Sequence, residues 1–232
     1  MFQNIKVVAI ICTLTAAACI TGCSSLSQID TRPVRTTYKT PQNLQFLQEE
    51  ITAYYNSGGY EQGLQQVADV AIEYLKSCKN TPGKLAVVFD IDETALSNWQ
   101  YEKDNDFGYS PKSWLKWKLK AACPPIKPTL EVYNQAKKQN IAIFFITGGS
   151  SKYREATIRN LKNAGYSGWT KLIMEPADKH YHMAENFKAP ERKKIAEAGY
   201  RIILNMGDQY SDLIGGYADK TFKLPDPFYY VP

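Results

Sequence analysis

The stretch Lys84-Leu-Ala-Val-Val-Phe-Asp90-Ile-Asp92-Glu-Thr94 holds the residue types and spacing best suited to chemistry. Two carboxylates stand two positions apart, directly after the apolar, partly β-branched run Leu85 to Phe89. Such a run predicts a strand buried on both faces, the kind found inside a parallel sheet. A strand ending in Asp-x-Asp delivers acids to the edge where open α/β sheets bind ligands. The bland alternative is a solvated turn, because acidic residues are common after strands. The rest of the chain has to decide between them.

The elements that must position these acids follow from periodicity. Thr40-Pro41 reads as a helix start, with Leu44, Leu47, Ile51 and Tyr54 as its apolar stripe. A second helix is expected from about Tyr60 to Cys78, with Leu64, Val67, Val70, Ala71, Tyr74 and Leu75 on one face. After the central strand come a helix over 128–139, a strand over 141–146 ending in Thr147, and a helix over 151–164 stopped by Gly165. A short strand over 171–174, a helix over 190–198 and a long strand over 201–206, ending in Gly207-Asp208, complete the pattern. Strands alternating with helices predict an α/β, Rossmann-like, doubly wound parallel sheet preceded by N-terminal helices. About thirty residues, 97–127, break that rhythm and carry Trp99, Tyr101, Phe107, Tyr109, Trp114 and Trp117. A connection this long is functional or a small subdomain. It leaves the strand end that carries Asp90, so it could cover the site as a cap; its aromatics could equally form their own small core.

In a parallel sheet the ends bearing Asp90 and Asp92, Thr147, and Asp208 with Asp212 share one edge and can converge. Four carboxylates brought together repel and raise each other's pKa unless cations intervene. Mg²⁺ fits, since it prefers hard oxygen ligands, needs few carboxylates and keeps waters that a phosphate can replace. One Mg²⁺ and one lysine give +3 against −4, which leaves room for one protonated acid at mildly acidic pH. Phosphoryl transfer would use that arrangement: one aspartate attacks phosphorus and the other protonates the leaving oxygen.

Asp90-Ile-Asp92-Glu-Thr94, Ile146-Thr147-Gly148, Lys188 and Gly207-Asp208-Gln-Tyr-Ser-Asp212, in that order, resemble the four-motif signature of the haloacid dehalogenase (HAD) superfamily. Within it the chain is similar to the subfamily IIIB acid phosphatases, a group that includes the bacterial class B enzymes, outer-membrane lipoprotein acid phosphatases, and plant vegetative storage proteins with their acid phosphatase relatives. The resemblance runs from about Pro41 to Pro232. It implies that Asp90 is the nucleophile and forms an aspartyl-phosphate. Asp92 would be the general acid and base, and its backbone carbonyl would also bind Mg²⁺. Thr147 would hold a phosphoryl oxygen, with backbone donors from Gly148-Gly149 at a helix N-terminus. Lys188 would screen nucleophile and phosphate, Lys179 being its nearby rival. Asp208 and Asp212 would complete the metal site with Asp90 and Asp92. Two departures stand out: Gly149 replaces the arginine many relatives carry, and Ala189-Pro190 follows the lysine. The implied activity is Mg²⁺-dependent hydrolysis of small phosphomonoesters. The alternative is a non-catalytic binding or storage protein on the same fold. The aromatics of the insertion could stack on a nucleobase, so nucleoside monophosphates are the substrate hypothesis, and family habit suggests a homodimer.

The 232 residues carry a mild net charge of +5 without long basic runs, which gives no nucleic-acid footprint. Lys6, the apolar run Val7 to Ile20 and Ile20-Thr21-Gly22-Cys23 read as a signal peptide over 1–22. Its end resembles the lipobox of bacterial lipoproteins, so Cys23 is expected to be lipidated. By that resemblance the chain is expected to be anchored in a bacterial outer membrane, facing the periplasm or surface. Residues 23–40 read as a tether and 41–232 as the phosphatase domain, with the cap at 97–127. Cys78 and Cys123 could pair in an oxidising compartment, although sequence does not show that they meet. His180 and His182 read as surface loop. Arg154 and Arg159 read as solvated or paired, and Glu93 as structural.

Overall fold

The computed structural model describes residues 40–179, 181 and 183–232. Every element below belongs to one compact unit, Gln42–Pro232. The expected leader over 1–22, Cys23 as the expected lipidation site, nearly all of the expected tether, His180 and His182 lie outside the described residues.

Helix α1 (Leu44–Asn56) starts beyond Thr40-Pro41, because the Asn43 side chain caps it by accepting from the Gln45 backbone N–H at 2.9 Å. Helix α2 (Gly59–Ser77) buries Tyr60, Leu64, Ala68, Ala71 and Leu75. That i, i+3, i+4 ladder turns Val70 outward, contrary to its expected place on the inner face. Strand β1 (Lys84–Phe89) follows. The insertion then folds as two helices, α3 (Trp99–Asp104) and α4 (Pro111–Lys120). Helix α5 (Lys127–Lys138) leads into β2 (Ala142–Ser150), and a 3₁₀ turn at Ser151–Tyr153 precedes α6 (Arg154–Asn163). Strand β3 (Lys171–Glu175), α7 (Glu185–Glu197), β4 (Tyr200–Gly207), α8 (Tyr210–Leu213) and β5 (Lys220–Lys223) complete the order.

The strands form one sheet in the order β3-β2-β1-β4-β5, with every neighbouring pair parallel. β1 is central, and Ala86 to Phe89 are buried as a two-sided strand requires. Each larger side chain there stabilises the fold by roughly 1.5–3 kcal/mol. The ladder extends past β1, since the Asp90 N–H donates to the Met206 carbonyl at 3.0 Å. Asp90 therefore starts from a fixed backbone.

Helix α7 begins five residues before the expected start at Pro190, which sits inside it. Buried Phe187 and Lys188 draw the first turn inward, and packing outweighs the backbone bond that proline removes. Strand β5 has only Phe222 buried among Lys220, Thr221 and Lys223, so its sequence pattern is faint. Cys78 and Cys123 are both buried free thiols, and burial pushes Cys123 up to about 12.

Candidate active site

The carboxyl edge of the sheet opens into a cavity of about 560 Å³. Asp90 follows β1, Thr147 and Gly148 lie in the C-terminal half of β2, Asp208 follows β4, Asp212 sits on α8 and Lys188 on α7. All six line this one cavity together with Asp92, so the sequence-predicted residues come together. Lys179 is exposed and takes no part; Lys188 occupies the central position.

Lys188 Nζ lies 2.5 Å from Asp90 Oδ1 and also donates to Asp212 Oδ1. The other Asp212 oxygen accepts the Gln209 backbone N–H at 2.9 Å. Asp208 accepts from the Thr94 hydroxyl and from Gln209 Nε2, each at 2.8 Å. Behind them Arg192, 1% exposed, gives its guanidinium to the backbone carbonyls of Asp212, Ile214 and Gly216. That clamp holds α8, and hence Asp212, against α7. Gly207 permits the close approach: a Cβ there would stand 2.5 Å from Asp212 Cβ.

Asp90, Asp208 and Asp212 are buried, and each offers a carboxylate oxygen within 4.8 Å of the others. Burial, opposed by Lys188 and reinforced by Asp212 and Asp92, pushes Asp90 up to about 7. Burial, with Asp212 and Asp90, drives Asp208 well above the usual carboxylate range. Six carboxylates line the cavity (Asp90, Asp92, Glu102, Glu175, Asp208 and Asp212) against one lysine among the described residues. A buried, all-oxygen donor set short of positive charge fits a hard divalent cation.

Thr147 Oγ1 accepts the Gly149 N–H at 2.9 Å, so its own hydroxyl proton is left to donate into the cavity. The β2–β3 register shifts between Thr147 and Ser150, and this bulge presents Gly148 and Gly149 at the rim. The element behind them differs from the expected α-helix N-terminus: a 3₁₀ turn intervenes and α6 begins at Arg154. Arg154 donates to the Leu172 carbonyl at 3.1 Å and so serves the scaffold.

Asp92 accepts on Oδ1 from Lys118 Nζ at 2.5 Å and from Asn98 Nδ2 at 3.0 Å. Burial is the largest influence on Lys118 and opposes its charge, but Asp92, with Cys123 and Tyr153, more than offsets it and the net direction is upward. Glu93, at a positive φ of 51°, accepts both the Asn98 N–H and its amide, which makes it the brace of this turn. Sequence reasoning missed Lys118 and Asn98. The one available signal was that Lys118 stands beside Trp114 and Trp117, which recur at helical spacing. The aromatics of the insertion divide. Trp99 stacks on Tyr55 at 3.7 Å between centroids, and Trp117 bonds Asn98 at 2.8 Å, whereas Tyr101, Phe107, Tyr109 and Trp114 line the cavity. The C-terminal tail also lines the cavity through Tyr229, Tyr230 and Val231, with the Val231 backbone held by Gln209 and Ser211.

Strand-end aspartates, a shared lysine and a threonine hydroxyl around one cavity form an α/β site that would take an anionic, oxygen-rich group once a divalent cation offsets the carboxylates. The chain belongs to the HAD superfamily, subfamily IIIB (acid phosphatase), whose family model matches residues 12–232. It is 36% identical over 186 residues to Acid phosphatase 1 of Solanum lycopersicum, covering 78% of this chain and 73% of that protein. It is 34% identical over 189 residues to the Stem 28 kDa glycoprotein of Glycine max, covering 79% and 74%. In fold it is similar to the class C acid phosphatase from Bacillus anthracis, with a TM-score of 0.66 and 21% identity over 80% of this chain and 87% of that one. The chain is accordingly an enzyme of the acid phosphatase family acting on phosphate esters. HAD phosphatases generally use a divalent metal ion, and the buried aspartate triad can bind one.

The expected placement as a bacterial outer-membrane lipoprotein is corrected by these relatives. The two sequence relatives named above are plant proteins, from tomato and soybean, and give that placement no support. Among the described residues no helix is long and apolar enough to cross a membrane.

Proposed function

We propose that this chain is a Mg²⁺-dependent phosphomonoesterase that works through a phosphorylated Asp90. The observation that carries the reading is the single ammonium of Lys188 shared by Asp90 and Asp212, with Asp208 alongside. Lys188 orients Asp90 and offsets part of the charge that an arriving phosphate adds. Asp90 attacks phosphorus. Asp92 gives a proton to the leaving alcohol oxygen, then takes one from the water that attacks the phosphorylated Asp90. The Thr147 hydroxyl and the Gly148 backbone meet phosphoryl oxygens. Asp90, the Asp92 carbonyl, Asp208 and Asp212 would hold Mg²⁺, which when bound supplies positive charge to the phosphoryl oxygens.

The alcohol portion would lie among Phe107, Tyr109 and Trp114, whose rings favour an aromatic leaving group such as an aryl alcohol or a nucleoside. The test is p-nitrophenyl phosphate turnover at mildly acidic pH, with and without EDTA, in the parent and in Asp90→Asn. Turnover that EDTA abolishes and Asp90→Asn lacks is expected. Full activity in Asp90→Asn would remove the assigned nucleophile.

A further inference from the structure

We propose that Lys118 and Asn98 are positioning residues that decide which oxygen of Asp92 meets the substrate. This rests on the reading of Asp92 as the acid and base. Both donors bond the same oxygen, Oδ1, at 2.5 and 3.0 Å. Among the described residues no donor is directed at Oδ2. Asp92 lines the cavity, whereas Lys118 and Asn98 do not. Oδ1 is therefore turned into the protein, and Oδ2 is the atom left to exchange a proton with the substrate.

The two donors are themselves fixed. Asn98 Oδ1 accepts Trp117 Nε1 at 2.8 Å and the Cys123 thiol at 3.3 Å, while Nδ2 is shared with Glu93 at 2.7 Å. That pattern sets the amide the right way round. Lys118 is 5% exposed, its Nζ lies 5.3 Å from the Trp114 ring centroid, and among the described residues Asp92 is its only ion-pair partner. Trp117 and Lys118 are neighbours on α4, so one turn of the insertion reaches Asp92 twice, directly and through Asn98. A carboxylate free to turn about its last bond would offer either oxygen; two donors on one oxygen remove that freedom. In the first step Oδ2–H passes its proton to the ester oxygen as the P–O bond breaks and the Asp90–phosphorus bond forms. In the second, Oδ2 takes a proton from water as the water oxygen bonds phosphorus and Asp90 is released. Both steps need the same oxygen in the same place. The insertion thus acts as a clamp on the acid as well as a cover.

The experiment compares kcat and KM for p-nitrophenyl phosphate and an alkyl phosphate in the full chain, in Lys118→Met, Lys118→Gln, Lys118→Arg and Asp92→Asn. An alkoxide needs a proton to leave and p-nitrophenolate does not. Lys118→Met is expected to lose roughly tenfold to a hundredfold in kcat on the alkyl ester, with KM near the parent value and a smaller loss on the aryl ester. Lys118→Arg should recover most of the loss. If the Met variant does not fold, Lys118→Gln, which keeps a donor, should show the same selectivity with a smaller loss. Parent-like alkyl turnover, or an equal loss on both esters, would overturn the positioning role while Asp92→Asn still showed its defect. Parent-like alkyl turnover in Asp92→Asn would instead overturn the underlying reading of Asp92.

Discussion

Lys188 Nζ and Asp90 Oδ1 meet at 2.5 Å although 98 positions of chain separate them, and the same ammonium also serves Asp212. One buried cation therefore ties the end of β1 to the helix that follows β4. Removing one partner of a buried pair leaves an uncompensated charge, which costs about 3–5 kcal/mol. Lys188→Met is expected to lose stability of that order at neutral pH in EDTA, with part recovered on adding a divalent cation. Urea denaturation under the two conditions reads both effects.

Asp90, Asp208 and Asp212 form a hard-oxygen set, so a divalent cation should stabilise the native chain independently of turnover. At a hundred times its dissociation constant a ligand adds about 2.7 kcal/mol. Mg²⁺ is expected to raise the melting temperature of the parent. Asp208→Asn and Asp212→Asn should each shrink that rise. An unchanged melting temperature in the parent would count against the triad as a metal site.

Two glycines set the spacing of the site. A Cβ at Gly207 would stand 2.5 Å from Asp212 Cβ and 2.8 Å from its Cγ, so Gly207→Ala must displace the carboxylate or the strand. It is expected to be the more damaging change, with a lower melting temperature and little turnover. At Gly149 a Cβ would meet Thr147 Oγ1 at 3.2 Å and Tyr153 Cε2 at 3.3 Å. Gly149→Ala should keep the fold and weaken inhibition by inorganic phosphate, measured as a raised inhibition constant.

Glu102 lines the cavity, and burial, with Asp226 and Asp92 adding to it, pushes its carboxyl from 4.5 up to about 7. The folded chain thus holds this proton more tightly than the unfolded chain. Its contribution to stability is fully present below pH 4.5 and is lost as pH rises through about 7. Glu102→Gln is expected to flatten the stability profile across that window and to be more stable than the parent above it. Urea midpoints measured across the pH series test this; parallel profiles would contradict it.

How much of this was legible beforehand depends on where each residue sits. Asp90, Asp92, Thr147, Asp208 and Asp212 stand at or just beyond strand ends, and the parallel sheet brings strand ends to one edge. Apolar runs and their punctuation were enough to find them. Lys188 lies on a helix whose start the sequence misplaced because of Pro190, and motif order located it where periodicity did not. Lys118, Asn98 and Arg192 were not assigned roles. Their places depend on how the insertion and the segment after β4 fold back, a tertiary outcome with no period to read. The aromatic run of the insertion left cap and private core both open, and the structure divides it between them.

The central claim is that Asp90 carries the phosphoryl group in transit. The direct measurement is acid quenching of a single turnover with a phosphomonoester, followed by mass mapping of the phosphorylated residue. Phosphate on the peptide containing Asp90, lost in Asp90→Asn and accumulating in Asp92→Asn with an aryl ester, is the expected result. A turnover-competent chain with phosphate on another residue, or with no covalent phosphate at any quench time in either the parent or Asp92→Asn, would contradict the account.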